Sequence, residues 1–175
     1  MDKTEEALHL ASQYIASAAR QFISPNPDDS HTTMKWDRDT KSFRSNLLPD
    51  GSHLALHADR LVLEWVGGLE RELDLLGRTH GEIVVWLHHV AVGKGHEEYE
   101  FSSPYYLSKG WENPIRQYSD FDQAEADEAI ARRNSADDWC QDIASRYAPD
   151  TACLVWPHHF DSAILFTPNE DGVTI

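Results

Sequence analysis

Two imidazoles and a carboxylate crowd into four positions in Trp156-Pro157-His158-His159-Phe160-Asp161. Neutral imidazole and carboxylate are ordinary ligands for zinc and other divalent ions, and a catalytic metal site needs three protein ligands plus an open position. A second polar cluster, Asp28-Asp29-Ser30-His31, lies far away along the chain. Should the fold join the two, His31, His158, His159 and Asp161 form a candidate set for a divalent metal such as zinc. Asp28, Asp29, Trp36 and Trp156 would then be further ligand-binding candidates. Neighbouring side chains on a strand point to opposite faces, so His158 and His159 share an ion only where the chain turns. Pro157 gives a reason for such a turn. The competing reading is a decorated turn, with one histidine hydrogen-bonded to Asp161 or to a carbonyl and the other solvated.

His88-His89 is a second pair, but on a helix the two rings lie about 100° apart, so at most one faces a given site. Residues 93–119 are punctuated by Gly93, Gly95, Pro104, Gly110 and Pro114 and are rich in aromatics, with Tyr99, Phe101, Tyr105, Tyr106, Trp111 and Tyr118. Long irregular segments are often functional. These rings form either a ligand pocket walled by Trp36 or Trp156, or a satellite core beneath a long loop. Several signatures are absent. Val92-Gly93-Lys94-Gly95 lacks the first glycine and the Ser/Thr of a phosphate loop, and His96-Glu97-Glu98 lacks the second histidine of H-E-x-x-H. Asp120-Phe121-Asp122 starts like a calcium loop, without glycine at its sixth position or glutamate at its twelfth. No G-x-S-x-G elbow is present. Cys140 and Cys153 match no zinc spacing and read as free, buried thiols.

The elements that must position these groups follow from periodicity. Ala7, Leu8, Ala11, Tyr14, Ile15, Ala18 and Phe22 make one helical stripe over 4–23, which Ser24-Pro25-Asn26-Pro27 stops. Short strands are expected over 31–37, 42–48, 53–57 and 61–66, with turns at Arg38-Asp39-Thr40, Pro49-Asp50-Gly51 and Ala58-Asp59-Arg60. Leu69, Leu73 and Leu76 mark a short helix closed by Gly77. Thr79 and Glu82 form a capping box before a helix over 79–92, with a strand over 82–92 as the alternative. A helical region capped by Ser119 or Asp120 runs to Tyr147, with a fresh cap pair at Ser135 and Asp138 and a break near Asn134. In its second half Ala136, Trp139, Cys140, Ile143, Ala144 and Tyr147 share a face. Ala148-Pro149-Asp150 ends it. Two closing strands, 152–156 and 162–167, flank the histidine motif.

The chain has 175 residues, 41% of them apolar, including six tryptophans, which suffices for one core without disulfides. The absence of a signal-like N-terminus or a long apolar run leads to the expectation of a cytoplasmic protein that enters no membrane. Its net charge of −15 repels phosphate backbones and argues against nucleic acid. It suits a metal ion, a cationic small molecule or a basic protein partner, and it also keeps a surface soluble.

The order of elements resembles an uncharacterised bacterial family, one of the domains of unknown function. The likeness rests on Leu8-His9-Leu10 in the first helix, the run of strands after it, and Trp156 followed by Phe160-Asp161-x-Ala163. It implies an α+β fold and carries no activity. The expected architecture is therefore a single α+β domain over 1–175, with its last six or so residues disordered. An antiparallel sheet of about six strands carries the N-terminal helix and the C-terminal helices on one face. The closing strands should join the early meander, because an isolated hairpin is marginal in water. Function divides between a small-molecule or divalent-metal-binding, hydrolase-like protein and a non-enzymatic acidic protein that binds a basic partner.

Overall fold

The computed structural model describes residues 2–68, 71–102, 117–147 and 151–165. Three helices, α1 (Lys3–Phe22), α2 (His80–Gly93) and α3 (Gln123–Tyr147), accompany seven strands. These are β1 (Met34–Asp37), β2 (Ser42–Ser45), β3 (His53–His57), β4 (Val62–Val66), β5 (Arg71–Asp74), β6 (Cys153–Trp156) and β7 (Asp161–Ile164). The strands form one antiparallel sheet in the order β5-β4-β3-β2-β1-β6-β7. The expected α+β architecture is thus present, and the closing hairpin joins the meander through β1, where Met34 faces Val155. Among the described residues no helix is long and apolar enough to cross a membrane.

Strand register divides the sheet into two unlike faces. Trp36, Phe43, Leu56, Leu63 and Leu73 make one row across β1–β5, and Ser45, Leu54, Trp65 and Arg71 make the next across β2–β5. That face packs on the helices, and Leu54, Leu56, Leu63 and Trp65 are fully buried there. Lys35, Arg44, Ala55, Glu64 and Glu72 make a row on the opposite face, beside Asp37, Ser42, His57, Val62 and Asp74. An antiparallel sheet with one polar face gives this alternation.

Helix α1 lies at the centre of the covered side. Its expected stripe is buried from Ala7 to Ala18, with Phe22 half-buried, and Thr4, Ser12, Gln13 and Ser17 on its other flanks are buried too. Thr4 Oγ1 donates to Glu125 at 2.8 Å and accepts from the Asp122 amide, while Ser17 Oγ accepts from the Ser102 amide. Helix α2 carries the expected Thr79–Glu82 capping box.

Four expectations on the elements need correction. Residues 71–74 are an edge strand and no helix, because Leu73 joins the apolar row opposite Leu63 while Glu72 faces Glu64 outside. His31 lies in a 3-10 turn, Ser30–Thr32, and the first strand begins only at Met34. Helix α3 begins two or three residues later than a cap at Asp120 or Ser119 implies, and it is unbroken. Asp122 Oδ1 accepts from the Ala124 and Glu125 amides, and the side chain of Asn134, the expected break, accepts a 2.8 Å bond from Trp36 Nε1. The face of α3 is also rotated: Ala126, Ile130, Cys140 and Ala144 are buried, whereas Trp139, Ile143 and Tyr147 are exposed. Arg133 and Asp137 sit within the buried stripe and disguise it as polar sequence. Leu69, Pro104, Tyr105, Tyr106, Gly110, Trp111 and Pro114 lie outside the described residues, as do Ala148-Pro149-Asp150, the end of the last expected strand and the expected disordered tail.

Candidate functional site

The histidine motif is the tip of the β6–β7 hairpin. Trp156 pairs with Asp161, so Pro157-His158-His159-Phe160 is a four-residue turn, closed by a 2.8 Å bond from the Phe160 amide to the Trp156 carbonyl. The same loop length joins β1 to β2 and β3 to β4, and each turn ends on a residue of positive φ: Lys41 at 50°, Leu61 at 50° and Phe160 at 57°. The turn docks on α1. His9 Nε2 donates to the Pro157 carbonyl at 2.8 Å, Gln13 Nε2 donates to the same oxygen at 2.7 Å, and the His9 and Phe160 rings stack at 5.3 Å. Burial holds the His9 imidazole below its ordinary pKa against the opposing pull of that carbonyl. His158 is half-buried, its ring 4.3 Å from that of His159 and 5.8 Å from that of Trp156; His159 and Asp161 stand at the surface.

The other expected residues are engaged elsewhere. His31 is buried, and its Nδ1 accepts from the Asn26 amide at 3.2 Å. Asp28 accepts from the Ser30 amide, and bonds from Ser30 hold its carboxyl below the usual range; Asp29 takes a left-handed conformation. Trp36 packs on Phe43 at 4.9 Å. Of the aromatic segment, Phe101 packs between Tyr14 and His80, and Tyr99 against Phe22. Tyr99 and Tyr118 belong to the main core and Phe101 packs against it, in place of a separate satellite core.

One trio brings metal-ligating atoms together. Among the described residues, His57, Glu64 and Glu72 are the one set of three whose donor atoms all lie within 4.8 Å of one another. The set of His31, His158, His159 and Asp161 is not such a group. The trio comes from three adjacent strands, β3, β4 and β5, on the polar face of the sheet. Glu64 sits directly opposite Glu72, and His57 occupies the next row.

Oxygen atoms flank both nitrogens of the His57 ring. Nε2 lies 2.7 Å from Glu64 Oε2, and Nδ1 lies 3.3 Å from the Thr40 carbonyl. Both neighbours are acceptors. A neutral imidazole has one N–H and one lone pair, so either neutral tautomer aims a lone pair at an oxygen. With Nδ1–H kept on Thr40, the Nε2 lone pair is directed at the Glu64 carboxylate, and a metal ion held between the two would engage both. Histidine ligands commonly hold their second nitrogen on a carbonyl in this way. The ring and the Glu64 carboxylate are nearly out of water, with side chains 9% and 14% exposed. Glu72 is open and accepts from both terminal nitrogens of Arg60, at 3.3 and 3.4 Å. His53 lies on the same face, and burial holds its pKa below the ordinary imidazole value.

Sequence patterning had signals for this trio. His57, Glu64 and Glu72 are the polar positions of alternating strands, and Glu72 came into view only with β5 as a strand. Arg133 was also missed: its guanidinium stands 5.1 Å from the Phe43 ring and 4.8 Å from that of Phe160, and donates to Ser162 Oγ and the Phe160 carbonyl, each at 2.8 Å. No protein-family model matches the chain, and no match was found among curated proteins or solved structures.

Proposed function

We propose that this protein binds a divalent metal ion on the polar face of its sheet, through His57 Nε2 and the carboxylates of Glu64 and Glu72. The observation that carries this reading is the meeting of an imidazole, fixed by Thr40, with two carboxylates from neighbouring strands. Two carboxylates balance the charge of a divalent ion, and one nitrogen with several oxygens suits zinc, manganese or ferrous iron better than copper(I). Tetrahedral zinc bonds of about 2.0–2.2 Å hold donor atoms roughly 3.3–3.6 Å apart, so His57 Nε2 and Glu64 Oε2, now 2.7 Å apart, must separate slightly to admit the ion while the exposed Glu72 side chain rotates toward it. Three protein ligands leave coordination positions toward solvent. There a bound water would become a better nucleophile or an oxygen ligand would be polarised, which is the chemistry of a hydrolase-like site. Arg60 competes with the ion for Glu72 and must swing away on binding. A reducing compartment such as the cytoplasm suits the thiol pair: burial and the neighbouring Cys140 push the Cys153 thiol up to about 12.

Cobalt(II) tests the reading by spectroscopy. Stoichiometric Co²⁺ should give visible d–d bands in the full chain, lost in His57→Ala and in Glu64→Gln. Bands that survive both substitutions would place the ion elsewhere.

A second reading, a non-enzymatic protein with a basic partner, is favoured by the exposed stripe Trp139, Ile143 and Tyr147 on α3, with Trp139 71% open to solvent and Asp138 and Asp142 beside it. A basic amphipathic peptide should then shift the Trp139 indole resonance saturably, with no shift in the opposite case.

A further inference from the structure

The edge strand β5 sends successive side chains to opposite faces of the sheet: Glu72 toward the proposed metal site, Arg71 toward the helices. Beside Arg71 a cavity of about 270 Å³ opens between this strand and the last two turns of α2, lined by Arg71, Trp86, His89, Val90, Gly93 and Lys94. Trp86, His89, Val90 and Gly93 stand at helical spacings of three, four and seven, so one face of α2 forms the wall. The chain carries 30 acidic against 15 basic residues, yet none of these lining residues is acidic and four of the six, Arg71, Trp86, His89 and Lys94, present cationic or N–H-donating groups. Arg71 is exposed and, among the described residues, its side chain makes no ion pair or hydrogen bond. Lys94 Nζ donates to the Gly67 carbonyl at the rim.

A helix C-terminus ordinarily repels anions, because its last carbonyls are unpaired. Here three of the last four are taken up: Val90 by the Lys94 amide, Ala91 by the amides of Lys94 and His96, and Val92 by that of Gly95. The acidic field of the whole chain falls away over a Debye length of about 8 Å at physiological salt, leaving the local guanidinium dominant inside the cavity.

We infer that this cavity is a binding site for a small aromatic oxyanion, an aryl carboxylate or aryl phosphate. Its ring lies against Trp86 and Val90, and its charged oxygens meet the Arg71 guanidinium, with His89 at the mouth. A planar guanidinium fork matches carboxylate and phosphate oxygens two at a time. The volume lies just under the range of about 300–1,000 Å³ typical of ligand pockets, which favours a single-ring ligand over a nucleotide. The site is independent of the metal reading, because it lies across the sheet from His57.

Two-dimensional NMR on the full chain tests it. The Trp86 indole N–H, assigned with Trp86→Phe, is followed during titration with phenyl phosphate and benzoate, with inorganic phosphate and neutral benzyl alcohol as comparison probes. At least one aryl anion should shift this resonance saturably and bind more tightly than either comparison probe. Arg71→Ala should weaken binding by about tenfold or more, the scale of a lost charge-assisted pair. Arg44→Ala, on the opposite face, should leave it unchanged. Gly93 lacks a positive φ, and an added Cβ there meets nothing within 4 Å. Gly93→Leu should therefore fill the cavity and abolish binding without lowering Tm. No saturable shift with either aryl anion up to about 10 mM, well above a millimolar Kd, would overturn the proposal. Equal affinity in Arg71→Ala, or benzyl alcohol binding as well as the anions, would do the same.

Discussion

Arg133→Met removes the group that fastens the closing hairpin to the rest of the fold. The guanidinium stands about 5 Å from two aromatic rings, one on β2 and one at the tip of the β6–β7 turn, and donates two bonds of 2.8 Å. Hydrogen bonds from a charged donor contribute about 1.5 kcal/mol each, and cation–π contact adds about 0.5–1 kcal/mol. Methionine keeps much of the apolar stem but leaves the Phe160 carbonyl and Ser162 Oγ without this donor. Burial of the cation, which lowers the Arg133 pKa, offsets part of the gain. A net loss of about 3 kcal/mol is expected, which for a chain of this length lowers Tm by about 6–12 °C. Arg133→Lys, retaining charge and one donor, should lose about half as much. Calorimetry gives the Tm values, and amide exchange locates the effect, with faster exchange in 153–164 than in β3 and β4. An Arg133→Met variant melting within about 2 °C of the parent would refute this account of the docking.

Three further outcomes are expected. Burial holds His9 and His53 below the ordinary imidazole pKa, so on acidification the unfolded chain takes up protons that the native one refuses. Their stabilisation is complete above about pH 6.5 and fades as pH falls toward the native values; His9→Gln, which keeps an N–H donor and cannot titrate, should flatten the decline in urea midpoint between about pH 6.5 and 5, and an unchanged decline would contradict it. Lys41 is exposed at a φ of 50°, so Lys41→Gly should raise stability by about 0.5–1 kcal/mol in urea unfolding, a loss showing that the turn holds no such strain. Arg60→Gln frees Glu72, and zinc affinity should rise by about tenfold, whereas stability should change by less than about 1 kcal/mol, as for other exposed pairs; equal affinity would mean that Arg60 does not compete.

The architecture was largely legible because alternation and capping are local. The Thr79–Glu82 box and the stripe on α1 stand where periodicity put them, and the closing hairpin joins β1 for the reason that makes a lone hairpin marginal. The reading failed where tertiary contacts outweighed local pattern. Leu69, Leu73 and Leu76 have helical spacing, yet Leu73 pairs with Leu63 in the sheet. Asn134 looks like a break and instead receives the Trp36 indole. The site was less legible than the fold. His158 and His159 are conspicuous as neighbours in sequence, but the turn that holds them is fastened to α1 by its backbone. His57, Glu64 and Glu72 are spaced by seven and eight residues and converge only through strand register, which no short motif records.

The central claim is that His57, Glu64 and Glu72 bind a divalent ion together. Its most direct test is calorimetric titration of zinc into metal-stripped full-length protein, beside His57→Ala and a His158→Ala/His159→Ala double variant. One equivalent should bind, His57→Ala should weaken it by well over about tenfold, the loss seen when even an outer partner of a ligand is removed, and the double variant should match the parent. Binding that survives in His57→Ala but vanishes in the double variant would contradict the account and move the ion to the hairpin tip.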